Sequence, residues 1–208
     1  MTKKQRLLLI KEGLERTYPD ADCSLRYTDP WQLLVSAILA TQCTDKRVNM
    51  VTPALFERYK TVYDFALADE KELQGYIRST GFFNHKAKNI IASANRICSV
   101  YNGIVPDTID ELTTLAGVGR KIANLIIGDI FKKPAIVVDT HAKRLSFRMG
   151  LTKNTDPTKI EMDLLKIIEP EYSSKFCHQL VELGREFCTA RSPKCDICPV
   201  KEGCKKVL

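Results

Sequence analysis

Four cysteines crowd the C-terminal end of the chain, and their spacing has a specific chemical meaning. Cys188, Cys195, Cys198 and Cys204 are separated by six, two and five residues. Four thiolates in so short a span predict a tetrahedral site that holds either zinc or an iron–sulfur cluster. Structural zinc sites favour two tight pairs, whereas only Cys195 and Cys198 are tightly spaced here. The looser outer spacings favour a cluster, and zinc remains the alternative.

A Gly-Val-Gly turn lies between two segments with helical periodicity. Gly117, Val118 and Gly119 form this turn, and Arg120 follows it. Because glycine has no Cβ, the backbone there can approach a ligand closely. The free amides at the start of the second helix attract anions. The turn therefore predicts a phosphate site, with DNA phosphate as the favoured anion, and a tight turn without any ligand is the alternative.

Lys121 and Asp139 are candidates for covalent chemistry. A lysine amine is a nucleophile only when it is uncharged, and cationic neighbours such as Arg120 favour that state. Asp139 precedes Thr140, where a helix restarts, so its simplest role is to cap that helix. A capping carboxylate can still present its outer oxygen to a pocket. Taken alone, Lys121 is better explained as a solvated helix lysine than as a nucleophile.

Caps and prolines divide the chain into helices. Asp29-Pro30 and Asp156-Pro157 each place a capping carboxylate before a proline at the first helical position. The segment from Trp31 to Thr41 is almost wholly apolar, which predicts a central helix. Residues 134–138 have no strand to pair with, so we expect a buried linker. Further helices are predicted near residues 5–17, 45–59, 62–68, 70–79, 84–100, 109–115, 156–168 and 173–187, and from residues 120 and 140 onwards.

The overall composition is that of a basic globular protein. The chain has 208 residues, of which 44% are hydrophobic, and a formal net charge of +7. This balance favours a polyanionic partner, nucleic acid first and an anionic membrane surface second. Arg191 and Lys194 lie in the loop between the first two C-terminal cysteines and are candidate phosphate contacts.

We expect no targeting signal at the N-terminus. The apolar run Leu7–Ile10 is too short for a signal peptide, and no stretch approaches the roughly 20 apolar residues of a spanning helix. We expect a soluble intracellular protein, in the cytoplasm or nucleoid, that does not contact membranes. Cysteines in that compartment are thiols or metal ligands. We expect Cys23, Cys43, Cys98 and Cys177 to be small buried hydrophobic residues.

Taken together, these motifs resemble the endonuclease III family of helix-hairpin-helix DNA glycosylases. The matching segments are LAGVGRKIAN, VDTHAKR, LATQCTD and the four-cysteine spacing, in the right order along nearly the full chain. The resemblance implies an all-α protein with a six-helix domain at residues 22–133. The second domain, residues 1–21 and 134–208, would carry a [4Fe–4S] cluster.

The resemblance also implies a reaction on double-stranded DNA that contains damaged pyrimidines or abasic sites. The damaged base leaves the stack, and Lys121 attacks C1′ of its sugar. The resulting Schiff base permits β-elimination at the 3′ phosphate, with Asp139 as general base or electrostatic partner. We expect a monomer, and the sequence does not rank the lesions.

Several DNA contacts follow from the resemblance. Gln42 would fill the gap left by the flipped base, and Phe82 would act as an apolar wedge against the opposite strand. A surface glutamine and a core aromatic are the alternatives. His141 would orient a phosphate or the active site, or act only as a cap residue. The remaining candidate contacts are Asp45, Gly117, Val118, Gly119, Arg120, Arg144, Arg191 and Lys194.

Two positions depart from the family pattern, and two other functions stay open. Ala116 stands where a proline is usual and Ile122 where a threonine is usual, which puts rate and lesion range in question. An adenine-removing mismatch glycosylase shares the scaffold, but it lacks the hairpin lysine and needs a carboxylate where this chain has Ala37. A non-catalytic DNA-binding module with structural zinc is the other alternative.

Overall fold

The computed structural model describes residues 1–207, and within them it contains eleven α-helices and no strand. The predicted all-α class is confirmed. No helix in this range combines the length and the apolar character that crossing a bilayer requires. The helices are α1 Lys3–Thr17, α2 Pro30–Leu39, α3 Asp45–Arg58, α4 Val62–Ala66, α5 Glu70–Ile77, α6 Phe83–Tyr101, α7 Ile109–Leu112, α8 Arg120–Asp129, α9 Thr140–Arg148, α10 Pro157–Leu165 and α11 Ser173–Glu186. Short 3-10 turns occupy Arg78–Thr80, Pro170–Tyr172 and Cys195–Ile197.

Most helices begin where the sequence places a capping side chain. Asp29 and Asp156 each accept a hydrogen bond from a first-turn amide, and a proline follows each of them. Thr44 and Thr61 cap α3 and α4 in the same way. Each such side chain satisfies one of the amides that a helix start leaves unpaired.

The chain divides into two compact units. The hairpin unit is Ser24–Phe131, and the terminal unit joins Met1–Cys23 to Lys132–Leu208. In the hairpin unit, α2 is the central helix, and eight of its ten residues are buried. It packs against α3, α6 and α8. The predicted burial of this apolar helix is confirmed, although it ends at Leu39 rather than near Thr41.

The terminal unit is built on α9 and α11, with α1 and α10 packed against them. Its core includes Ile10, Leu145, Phe176 and Leu180, all with no exposed surface. Residues 134–138 form no strand, as expected, and Ala135 and Ile136 are buried. The Ala135 amide donates a hydrogen bond to Ser173 Oγ at 3.1 Å, so a side chain replaces the missing strand partner.

Burial of the four scattered cysteines was predicted wrongly in three cases. Cys177 is buried, but Cys23, Cys43 and Cys98 are only half-buried. Cys23 lies in a loop and Cys43 in the turn after α2. Cys98 lies near the end of α6, on a helix that also carries polar faces. Apolar neighbours in the sequence do not fix which face of a helix or turn a thiol occupies.

Candidate active site and cysteine pocket

The four C-terminal cysteines line one pocket in the terminal unit. Its empty volume is about 360 Å³, which includes open solvent at the mouth, and its lining also includes Arg148, Lys194, Lys201 and Lys206. Within residues 1–207, no three His, Cys, Asp or Glu side chains are placed to hold a single metal ion. A zinc ion needs its sulfur ligands about 2.3 Å from one point. Four thiols that line one pocket provide a donor set that either a zinc ion or an iron–sulfur cluster can use.

The electrostatics of this pocket also favour a cationic occupant. Burial raises the pKa of the Cys198 and Cys204 thiols, and the neighbouring thiolates raise each pKa further. Several adjacent thiolates repel one another in a partly dry pocket. Metal cations reverse that balance, because a bound metal stabilises the deprotonated ligand. The donor set therefore fits an iron–sulfur cluster.

Arginines of α1 and α9 hold the loop that carries these cysteines. Arg148 donates to the carbonyls of Thr189 at 2.7 Å and Ala190 at 2.9 Å, and its Nη1 lies 3.5 Å from Cys188 Sγ. Arg6 donates to the Gly203 carbonyl at 2.8 Å. A Cβ at Gly203 would lie 2.7 Å from the Arg6 carbonyl oxygen, so only glycine allows this approach. No local sequence pattern singles out either arginine.

Asp139 caps α9, which confirms the simplest role that the sequence predicts for it. Its Oδ1 accepts a hydrogen bond from the Ala142 amide at 2.6 Å. The carboxylate is half-buried, and within residues 1–207 its Oδ2 accepts no hydrogen bond. One oxygen therefore holds the helix start and the other remains available.

His141 and Arg144 lie one turn into α9 and serve the interior of the terminal unit. Arg144 Nε and Nη2 donate to the Cys188 carbonyl at 3.1 and 3.0 Å. Arg144 Nη2 lies 3.2 Å from His141 Nδ1. Burial lowers the pKa of His141 below its ordinary value, and nearby Asp139 opposes that shift. The predicted DNA contacts of these two residues stay predictions.

The Gly-Val-Gly turn joins α7 to α8, and its two glycines differ in backbone conformation and in surroundings. Gly117 has a φ of 76°, and a Cβ on it would lie 2.7 Å from Asn89 Nδ2. A Cβ on Gly119 would meet nothing within 4 Å, and Gly119 has an ordinary φ of −93°. The fold therefore requires Gly117, whereas it leaves the space beside Gly119 open. No side chain caps α8 at Gly119.

Lys121 is the second residue of α8 and is exposed. The next two residues, Ile122 and Ala123, are buried against the rest of the hairpin unit. Lys121 thus stands on a rigidly packed helix start directly after the open turn. Arg120 is half-buried, and its carbonyl accepts a hydrogen bond from Asn124 Nδ2 at 3.1 Å.

Gln42 and Phe82 share an unusual backbone conformation. Their φ angles are 52° and 50°, in the left-handed region that residues other than glycine rarely adopt. Gln42 is exposed in the turn between α2 and α3, and Phe82 is 61% exposed directly before α6. Strained, exposed residues are typical of functional loops. Phe82 is therefore not a core aromatic.

The other predicted contacts are placed as follows. Asp45 begins α3, and its Oδ2 accepts a hydrogen bond from Ser24 Oγ at 2.6 Å, which gives it a role within the fold. Arg191 and Lys194 are both exposed on the cysteine loop. Lys86, a lysine that is only 3% exposed, was not predicted as a functional residue. Its signal was its position on the apolar stripe of α6, beside Ala87 and Ile90.

Comparison with known proteins defines the class to which this arrangement belongs. Residues 35–170 match the HhH-GPD superfamily of base excision DNA repair proteins. Residues 188–204, from the first to the last of the four cysteines, match the iron–sulfur binding domain of endonuclease III. Together the two matches cover α3 to α10 and all four C-terminal cysteines.

Individual endonuclease III proteins are similar in sequence to this chain over nearly its whole length. Endonuclease III of Synechocystis sp. is 48% identical over 98% of this chain and 93% of its own length. Endonuclease III of Rickettsia felis is 41% identical over 94% of this chain and 92% of its own. A solved structure of a trapped endonuclease III–DNA covalent intermediate superposes with a TM-score of 0.92, at 40% identity, and covers 99% of this chain and 97% of that one.

The chain belongs to the endonuclease III family of DNA glycosylases. It is an enzyme of base excision DNA repair, with DNA N-glycosylase and abasic-site lyase activity, and it carries a [4Fe–4S] cluster. The alternative of a non-catalytic module with structural zinc is therefore wrong.

Proposed function

We propose that this enzyme removes oxidised pyrimidines from double-stranded DNA through a Schiff base on Lys121 and then cleaves 3′ to the abasic site. The observation that carries this proposal is the placement of Lys121. It is exposed on a packed helix start, immediately after a turn whose second glycine faces open space. A phosphate that approaches the Gly119 backbone would bring a sugar within reach of this amine.

The chemistry divides between Lys121 and Asp139. The lysine nitrogen attacks C1′, the glycosidic bond breaks, and the base leaves with the bonding electrons and takes up a proton. The sugar ring then opens with O4′ taking a proton from water, which gives an iminium between lysine and C1′. Water removes a C2′ proton, and the electron pair of that C–H bond expels the 3′ phosphate by β-elimination. The family resemblance assigns Asp139 the role of general base or electrostatic partner that stabilises positive charge on the sugar, and its second oxygen is available for that role.

The two units supply different parts of this machinery. The hairpin unit contributes Lys121 and the Gly117 and Gly119 amides, which bind a DNA phosphate. Gln42 fills the gap that the extruded base leaves, and Phe82 acts as an apolar wedge against the opposite strand. The terminal unit contributes Asp139 and the cluster. We assign the four cluster ligands as Cys188, Cys195, Cys198 and Cys204. When bound, the cluster supplies iron centres that bind these thiolates and cancel their mutual repulsion.

Removal of adenine from mismatches is a less favoured function for this chain. The resemblance places the required carboxylate at Ala37, which is 5% exposed on α2 and has no ionisable group. The neighbouring Ser36 and Ile38 are also buried and cannot replace it.

Borohydride trapping on an abasic-site duplex tests the lyase proposal. Borohydride reduces an iminium to a stable amine and so links enzyme to DNA covalently. We expect an adduct with the wild-type enzyme and with Lys133→Ala, which removes another exposed lysine, and none with Lys121→Ala. An adduct of equal yield in Lys121→Ala, or none in a well-folded wild-type enzyme, would contradict the proposal.

A further inference from the structure

Lys86 is a buried lysine without a carboxylate partner. It lies on α6 and is 3% exposed. Its Nζ donates to the Leu39 carbonyl at 2.8 Å and to the Thr80 carbonyl at 2.8 Å. Within residues 1–207 no Asp or Glu pairs with it. A buried ammonium without a counter-ion is costly, because it gives up its hydration for two neutral acceptors.

The two carbonyls that bind Lys86 end two separate elements. Leu39 is the last residue of α2, and Thr80 is the last residue of the 3-10 turn Arg78–Thr80. Carbonyls at a helix end have no partner inside the helix, and they carry the negative end of its dipole. One ammonium therefore caps both ends at once and joins them across the hairpin unit.

Each of these carbonyls stands just before a residue in the left-handed conformation. Gln42 follows Leu39 by three residues, and Phe82 follows Thr80 by two. Both side chains are exposed, and the loop that carries each one begins just after a carbonyl that Lys86 binds. Lys86 therefore holds together the starting points of the two loops that carry Gln42 and Phe82.

We propose that Lys86 is a positioning residue that fixes the separation of Gln42 and Phe82, so that both enter the DNA together when the damaged base is extruded. This inference rests on the proposed function, which gives those two side chains that role. Lys86 itself touches neither the sugar nor the base. Its effect is on base extrusion, whereas the amine chemistry of Lys121 does not depend on it.

The charge on Lys86 has a desolvation cost, which its contacts with the two carbonyls offset. Burial lowers the pKa of Lys86, and only the nearby Cys43 thiol opposes that shift. Methionine has nearly the same length and would fill the space without the desolvation cost, but it would leave both carbonyls unpaired. A cap for one helix end would not require a group that reaches two elements.

A double-mutant cycle separates positioning from a general loss of stability. The measured quantity is the single-turnover rate of base excision from a duplex with one oxidised pyrimidine. We expect Lys86→Met to slow excision by about tenfold or more, because small misplacements of this kind are costly. In a Gln42→Ala/Phe82→Ala background the same change is expected to cost less than about twofold, because its effect passes through those side chains.

Two further variants complete the test. Lys88→Met removes an exposed lysine from the same helix and is expected to retain the wild-type rate within about twofold. Lys86→Arg keeps charged donors for the carbonyls and is expected to recover most of the rate. Lys86→Gln, which is shorter and uncharged, replaces Lys86→Met in the cycle if the methionine variant does not fold. Equal slowing by Lys86→Met in both backgrounds would overturn the inference, and so would a Lys86→Met rate equal to that of Lys88→Met.

The same measurements separate a failure of the Lys86 inference from a failure of the proposed function on which it rests. If Gln42→Ala/Phe82→Ala excises at the wild-type rate, the roles of those side chains are wrong, and the positioning role of Lys86 is overturned with them. If that double variant is slow but Lys86→Met is not, only the inference about Lys86 fails.

Discussion

Asp139 performs two tasks with the two oxygens of one carboxylate, and substitution can separate them. Asparagine caps helices about as well as aspartate, so Asp139→Asn should keep the bond to the Ala142 amide and shift the free energy of unfolding by less than about 0.5 kcal/mol. Asp139→Ala should lose about 1 kcal/mol. Both variants should bind DNA and show much slower excision. Chemical denaturation and single-turnover rates measure the two effects, and an Asp139→Asn rate equal to wild type would refute the catalytic role.

His141 should make the stability of the terminal unit sensitive to acid. Burial, Arg144 and Arg185 hold its pKa below the ordinary value of 6.5 in the folded state. The unfolded chain therefore binds a proton first as the pH falls, and stability declines from about pH 6.5 down to the folded-state pKa. His141→Gln should remove that part of the decline. Thermal unfolding midpoints at several pH values test this, and identical pH profiles for the two proteins would contradict it.

At the scale of elements, the α7–α8 hairpin provides a matched pair of substitutions. Gly117→Ala must adopt a positive φ and approach Asn89, so we expect a loss of about 1–3 kcal/mol of stability. Gly119→Ala meets no atom and should change stability by less than about 0.5 kcal/mol. If the open space beside Gly119 receives a phosphate, Gly119→Ala should nevertheless weaken affinity for abasic-site duplex. Undiminished DNA affinity in a stable Gly119→Ala variant would contradict the assignment.

Helix starts were predictable from the sequence, and helix ends were less so, for a physical reason. A start such as Asp29-Pro30 is local, because the capping oxygen lies within three residues of the amide that it binds. The end of α2 depends in part on Lys86, which is 47 residues away in the chain. No local pattern contains such a contact. A lysine on an apolar stripe was the available signal, but the same pattern also describes an ordinary helix lysine.

The shared site of the C-terminal cysteines was predictable from the sequence, but the residues that support it were not. The spacing of the C-terminal cysteines predicted a shared site, because four ligands in a short loop must converge. Their supports, Arg6 and Arg148, come from distant helices and could not be found from spacing. The wrong burial assigned to Cys43 and Cys98 has a similar cause, since exposure depends on neighbours that only the fold brings together.

At the scale of the whole molecule, the cluster should hold the C-terminal loop closed. Cys198→Ser removes one of the four assigned ligands, so we expect loss of the yellow-brown colour, lower iron content and a lower unfolding midpoint. Cys98→Ser, which changes a half-buried thiol in the hairpin unit, is the control and should remain coloured. Full iron content in purified Cys198→Ser would contradict the ligand assignment.

The identity of the lysine that forms the covalent link to DNA is the most direct test of the proposed chemistry. After borohydride reduction on an abasic-site duplex and nuclease digestion, mass spectrometry of the protein peptides locates the sugar remnant. We predict a single modified residue, Lys121. A remnant on any other amine, such as Lys132, Lys133 or the N-terminus, would contradict the proposal that Lys121 is the nucleophile.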